Sequence, residues 1–255
     1  MLKTFRWSTS IYFITCFFLI LFLSFLLSFD TYTPSHIIGA IIAFAFLLFI
    51  LILVLLLNWQ AKKYLIKLSS ILFDQCDAQQ YLVLMSKKAT RFVTAKIEIS
   101  RALFFLGEDA QAVAYCEQAR QSFHWINSNV RWSYESIYYN IMFHCALYSN
   151  NLALASSYLP DMYRVLADYS PGMAVNYLYA LRVANGQYEG AETYLLMRLE
   201  SSVRMLDRLV ISWRIGELYT KLNQPEKARV YYEFVRQNGG TTRYTRMAEA
   251  MLQSK

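Results

Sequence analysis

The chain has 255 residues, with 56% apolar side chains, 17% charged ones and a formal net charge of +7. Charged residues fall well short of the roughly 25% usual in soluble domains, and the apolar excess excludes a disordered chain, a collagen and a disulfide scaffold. The deficit is local: among residues 1–57 only Lys3, Arg6 and Asp30 are charged, so an apolar front end precedes a body of ordinary composition.

Ile11–Phe29 and Ile37–Leu57 are uncharged runs of nineteen and twenty-one residues. As helices, each would cover roughly 30 Å, the thickness of a bilayer's hydrocarbon core. Lipid offers the backbone no partners, so a spanning segment must be helical. The link Asp30–His36 contains Thr33-Pro34 and is short enough only for a hairpin turn. The first run exceeds a signal peptide's apolar core of about 7–15 residues, and no small-residue cleavage site follows it, so it is expected to be retained. Lys3 and Arg6 precede the first run and Lys62, Lys63 and Lys67 follow the second, whereas the link has neither Lys nor Arg. The positive-inside rule then puts both termini in the cytoplasm of a multi-pass plasma-membrane protein. Lys62, Lys63 and Lys67 are expected to attract anionic lipid head groups, at about 1 kcal/mol per well-placed cation. Two pairs of small residues, Ser24 with Ser28 and Gly39 with Ala43, are each four apart and would let the two helices approach closely. The expected organisation is a transmembrane hairpin over 1–58, juxtamembrane helices over 59–90 and a helical body over 91–255. For Trp59–Phe73, helical periodicity with flanking lysines fits a helix along the headgroup layer or a continuation of the second spanning helix.

From Cys76 onward apolar spacing is helical, and prolines at 160, 171 and 225 punctuate it, so the body is expected to be all-α. Four stretches share a pattern. Gly107, Asn150, Gly186 and Asn223 are each followed five residues later by alanine, at Ala112, Ala155, Ala191 and Ala228. Four residues further on stand Cys116, Leu159, Leu195 and Tyr232. The alanines are spaced 43, 36 and 37 residues apart. A turn residue, then a small residue where two helices meet, describes a helix–turn–helix unit used four times. Asn238 to Thr242 (NGGTT) ends a helix, with Thr241 or Thr242 as candidate cap of a last helix over Arg243–Gln253 that covers the exposed end of the array.

This unit resembles a tetratricopeptide repeat. The last copy matches best, through Ile215-Gly216, Tyr219, Ala228 and Tyr232, with Pro225 opening its second helix. The first keeps Ile99-Ser100, Leu103, Gly107, Ala112, Cys116 and Ala119. In the second and third, Phe143 and Tyr179 replace the expected small residue, and the period exceeds the family's 34. The layout of a two-helix anchor and degenerate repeats resembles bacterial membrane proteins of that superfamily. The resemblance implies an α-solenoid whose concave face takes a protein or peptide partner. Carried over position by position, that face comprises Arg101, Phe105, Asn140, His144, Tyr148, Asn176, Ala180, Glu217 and Lys221. Asn140 and Asn176 occupy the same repeat position and could hydrogen-bond an extended backbone. The family's lysine and asparagine clamp for two carboxylates is not reproduced.

No catalytic or cofactor motif stands out. Cys16, Cys76, Cys116 and Cys145 lack metal-ligand spacing and are expected to pack as small hydrophobes. His36, His124 and His144 form no cluster with acids, and His144 and Cys145, adjacent on a helix, point about 100° apart. Glu108-Asp109, Asp74 with Asp77 and Glu189 with Glu192 stand at helix starts, where acids are favourable. The basic residues of 198–255 alternate with acids, as on a solvated ion-paired surface, and no nucleic-acid-binding module is present. The expected role is therefore non-enzymatic, without cofactor, metal or nucleic acid. It is that of a membrane-anchored scaffold for a protein or peptide, or alternatively of an accessory subunit of a transport or secretion complex acting through its hairpin.

Overall fold

The computed structural model describes residues 34–87, 93–126, 128–167 and 171–254, with side chains from Phe44 onward except at scattered positions. The first apolar run, with Ser24 and Ser28, lies outside the described residues. The described residues are helical throughout, with no strand among them, so the all-α expectation holds. Contacts divide the chain into two units, 1–65 and 66–255.

Helix α1 (Pro34–Phe73) is one element of 40 residues, unbroken at Trp59. Its side chains at Phe46, Leu48, Phe49, Ile50, Ile52, Leu53, Leu55 and Leu56 are all exposed. Among the described residues no helix is long and apolar enough to cross a membrane. Lys63 lies 3.7 Å from the centroid of the Trp59 ring. Lys67 is exposed and the Lys62 side chain is outside the described set.

In the second unit α1 ends on buried Leu68, Ile71 and Leu72. Among the described residues eleven α-helices follow: α2 (Ala78–Ser86), α3 (Val93–Leu106), α4 (Asp109–Arg120), α5 (Ser128–Tyr148), α6 (Leu152–Ser157), α7 (Leu159–Leu166), α8 (Pro171–Ala184), α9 (Ala191–Ser201), α10 (Met205–Lys221), α11 (Pro225–Asn238) and α12 (Arg243–Gln253). Most neighbours in sequence pack on one another, α3 on α4 and α10 on α11 most extensively.

The four aligned turns share one geometry. Gly107, Asn150, Gly186 and Asn223 have φ of 81°, 58°, 78° and 54°. In each, the amide after the turn residue bonds a carbonyl five residues back: Glu108 to Leu103, Asn151 to Ala146, Gln187 to Arg182 and Gln224 to Tyr219. The turn residue's own amide bonds three back, closing a Schellman motif. Glycine and asparagine stand there because they tolerate the left-handed region best. The alanines that follow, Ala112, Ala155, Ala191 and Ala228, are all buried.

Where the partner helix presents a small residue, the fit is close. Ser100 is fully buried and its hydroxyl donates to the Ala112 carbonyl at 2.6 Å, beside the Cys116 thiol at 2.9 Å. A Cβ at Gly216 would lie 2.5 Å from Cε1 of Tyr232. Tyr232 cannot swing aside freely, since it is 3% exposed and its hydroxyl meets Thr220 at 2.9 Å. Gly216→Ala is therefore expected to destabilise by about 1–2 kcal/mol, overpacking outweighing the gain in helix propensity. Denaturant unfolding reads it, and a stabilised variant would show the contact to be loose.

Tyr179 stands where the third unit lacks a small residue, and the chain yields elsewhere. Its ring stacks on Tyr194 at 4.3 Å. A Cβ at left-handed Gly190 would come 3.3 Å from its hydroxyl, and α9 begins only after that glycine. In the second repeat copy, with Phe143 fully buried, the second helix is split into α6 and α7 at Tyr158, just before Pro160.

Neither threonine caps α12 by its side chain. The Thr242 hydroxyl donates to the Gly239 carbonyl, and Thr241 reaches the far end of the unit. Thr241 Oγ1 accepts from the Gln79 amide at 3.1 Å and meets Asp77, the N-cap of α2. The Thr241 amide donates to the Cys76 carbonyl at 3.2 Å. Gly240 makes this approach possible, because a Cβ there would stand 2.6 Å from the same oxygen.

Candidate functional site

The first helices of the four pairs, α3, α5, α8 and α10, carry the residues assigned to the inner face. At Phe105, His144 and Tyr148 that face is filled. Phe105 and His144 are buried, at 7% and 5% exposure, and Tyr148 is partly buried. The open concave groove expected for these three residues is corrected to an interior, because α12 closes back onto α3. Phe104, 1% exposed, stacks on His144 and Tyr148 at ring-centroid distances of 6.0 and 6.3 Å. Tyr177 tilts against His144 at 5.7 Å. Tyr244 of α12 lies 6.4 Å from Phe105 and 6.3 Å from Trp213, and its hydroxyl meets that of Tyr148 at 3.2 Å.

Two arginines join these rings. The Arg214 guanidinium donates to His144 Nε2 at 3.0 Å, which requires that nitrogen to be unprotonated. Burial, and then the charges of Arg214 and Arg243, hold the imidazole well below its ordinary pKa, so His144 is neutral. Arg243 donates to both carboxylate oxygens of Asp109, at 2.5 and 3.1 Å, and lies over the Tyr148 ring at 4.4 Å. Asp109 thus meets an arginine 134 positions away. Glu217 is partly buried, and desolvation pushes its carboxyl up to about 7 against the opposing pull of Arg214 and Lys221. The Trp213 indole N–H lies within electrostatic range of that carboxyl but outside hydrogen-bond geometry.

The other assigned residues do not join this cluster. Arg101 is ion-paired with Glu98, whose Oε2 also accepts from the Tyr81 hydroxyl at 2.6 Å, and it lies over the Phe73 ring. The Asn140 side-chain oxygen accepts from Tyr177 at 3.0 Å and that of Asn176 from Tyr194 at 2.6 Å. The two matched amides thus already use their oxygens within the fold. Lys221 is exposed and donates to the Val183 carbonyl. Gly39 and Ala43 lie on α1.

Sequence reasoning missed Phe104, Trp213, Arg214, Arg243 and Tyr244. A signal existed for two of them: Tyr244 is the sole aromatic of the last helix, and Arg214 precedes Glu217 by three positions on one helical face. The basic C-terminal band divides in two. Arg229 and Arg236 pair with Glu233 on α11, while Arg204 and Arg208 lie over the rings of Phe73 and Phe234.

A cleft of about 250 Å³ lies elsewhere, lined by Arg120, Phe123, Arg131, Glu135, Tyr138 and Tyr139. It is smaller than the usual 300–1,000 Å³ of ligand sites, and Arg120 is already committed to Tyr138 at 2.9 Å. Among the described residues no group of three or more His, Cys, Asp or Glu is placed to hold a metal. The buried Cys116 thiol is pushed up to about 12 by desolvation, so it is protonated at neutral pH. Compared with known proteins, the chain matches no family model, no curated protein and no solved structure.

Proposed function

We propose that this chain is a membrane-anchored adaptor. A tetratricopeptide-like helical body would hold a protein or peptide partner against the cytoplasmic face of a plasma membrane. The observation that carries this reading is α1, where Phe46, Leu48, Phe49, Ile50, Ile52, Leu53, Leu55 and Leu56 are all exposed large apolar side chains. A helix apolar on every face belongs in a protein core or in lipid. The uncharged run Ile37–Leu57 within it has the length of a span, and Ile11–Phe29 supplies a second. Lys62, Lys63 and Lys67 then meet anionic head groups. Tethering raises the partner's effective concentration at the bilayer without any new contact.

Protease added to intact cells is expected to leave residues 66–255 uncut, and alkaline carbonate to leave the chain in the membrane fraction. Cleavage in intact cells, or release by carbonate, overturns the anchor and its sidedness. One observation favours a second reading, an accessory subunit of a transport or secretion complex: the inner face is occupied by the chain's own side chains, leaving the hairpin as a contact surface. In-cell cross-linking separates the two. Loss of a recovered partner on Gly39→Leu supports the hairpin, and its retention supports the helical body.

A further inference from the structure

We propose that the inner face of the second unit is a binding site for a helix carrying a tyrosine flanked by arginines, and that α12 is its resident, displaceable occupant. The seat is built for that chemistry. Tyr244, 1% exposed, enters an aromatic recess floored by Phe105 and Trp213. The preceding Arg243 takes the Asp109 carboxylate with two nitrogens. Three residues after Arg243, Arg246 donates to the Leu106 carbonyl at the C-terminal end of α3, where the helix dipole favours a cation. Recognition thus runs through three side chains of one short element, Arg-Tyr-x-Arg.

The occupant is lightly held compared with its surroundings. Tyr244 and Ala248 of α12 are buried and Met247, Met251 and Leu252 pack partly buried on the same core, against nine buried residues of α10, so α12 has less apolar area to lose on leaving. Gly239-Gly240 joins it to α11. The recess also contains groups an unchanging core would avoid. The Trp213 indole N–H is buried without a hydrogen bond of good geometry, and the Glu217 carboxyl lies near it. Such atoms are costly when desolvated and regain water when the recess opens. A partner helix of the same chemistry would therefore compete with α12, and the resting chain would be self-inhibited. Only the identity of that partner rests on the adaptor reading.

The test uses the full chain in detergent micelles. By hydrogen exchange, amides of α12 are expected to exchange at least a hundredfold faster than those of α10, through an opening that leaves α10 and α11 protected. A labelled synthetic peptide of residues 238–255 should bind the Arg243→Ala chain at least tenfold more tightly than wild type. The chain's own strap is weakened there while Asp109 remains for the peptide's arginine. The same peptide carrying Tyr244→Ala should bind at least tenfold more weakly. Exchange of α12 only together with α10, or equal binding of the peptide to both chains or to neither, overturns the proposal. If Arg243→Ala does not fold, Arg243→Lys replaces it, and the wild-type exchange decides by itself. Absence of any partner in cells would count against the adaptor reading alone, since the strap is read in the purified chain.

Discussion

Phe104→Ala is expected to lower the stability of the helical unit by about 3–5 kcal/mol, the range for deleting a fully buried aromatic side chain. The ring is 1% exposed and packs against Phe105, His144 and Tyr148, with the Arg243 guanidinium 5.4 Å from its centroid. Its removal opens a cavity among side chains drawn from α3, α5 and α12. These belong to segments distant in sequence and cannot collapse together without moving whole helices. In a domain of this size the loss corresponds to roughly 10 °C in melting temperature. Thermal unfolding followed by circular dichroism reads it. Leu178→Ala, at a position 36% exposed, should cost less than about 1 kcal/mol by comparison. Equal effects of the two substitutions would show that Phe104 is not a keystone of the interior.

The second large effect depends on pH. The Glu217 carboxyl is raised from 4.5 to about 7 in the folded chain, chiefly by burial. Between these values the native state holds a proton that the unfolded chain has released. Stability contributed by this group is therefore present in full below pH 4.5 and is lost as pH rises through 7. The loss is on the order of 3 kcal/mol, at about 1.4 kcal/mol for each tenfold change in proton affinity, and smaller to the extent that water reaches the carboxyl. Glu217→Gln removes the titration. Relative to wild type, it should gain about 2 kcal/mol on going from roughly pH 5 to pH 8, measured by urea unfolding at both. His144 acts with the opposite sign. Its pKa is held below the unfolded 6.5, so the unfolded chain takes up more protons below pH 6.5 and stability falls as pH drops. A Glu217→Gln difference that is the same at both pH values would mean that water reaches this carboxyl freely.

The repeat was legible because its signal is local. A turn that needs a left-handed residue selects glycine or asparagine whatever surrounds it, and all four aligned positions have that conformation. Likewise the alanine five residues on is selected by the close approach of its own pair of helices. The irregular copies were legible as departures, though not in what replaced the missing small residue. Tyr179 is accommodated by Gly190 and by the late start of α9, which no spacing rule anticipates. The inner-face assignments fared differently. Phe105, His144 and Tyr148 converge as the alignment implies, yet they meet Tyr244 and Arg243 and not open space.

By itself the sequence determined the helical class, the paired units with their turns, the apolar front end, and the last helix over Arg243–Gln253. Each follows from forces acting within a few turns of chain: periodic burial, steric limits on φ, and the absence of charge over the length of a span. Only the tertiary structure decided that α12 returns to α3 and α4, that Asp109 meets Arg243 rather than simply favouring a helix start, and that Gly240 lies against Cys76. That return is made by contacts between residues more than a hundred positions apart, which no local pattern carries.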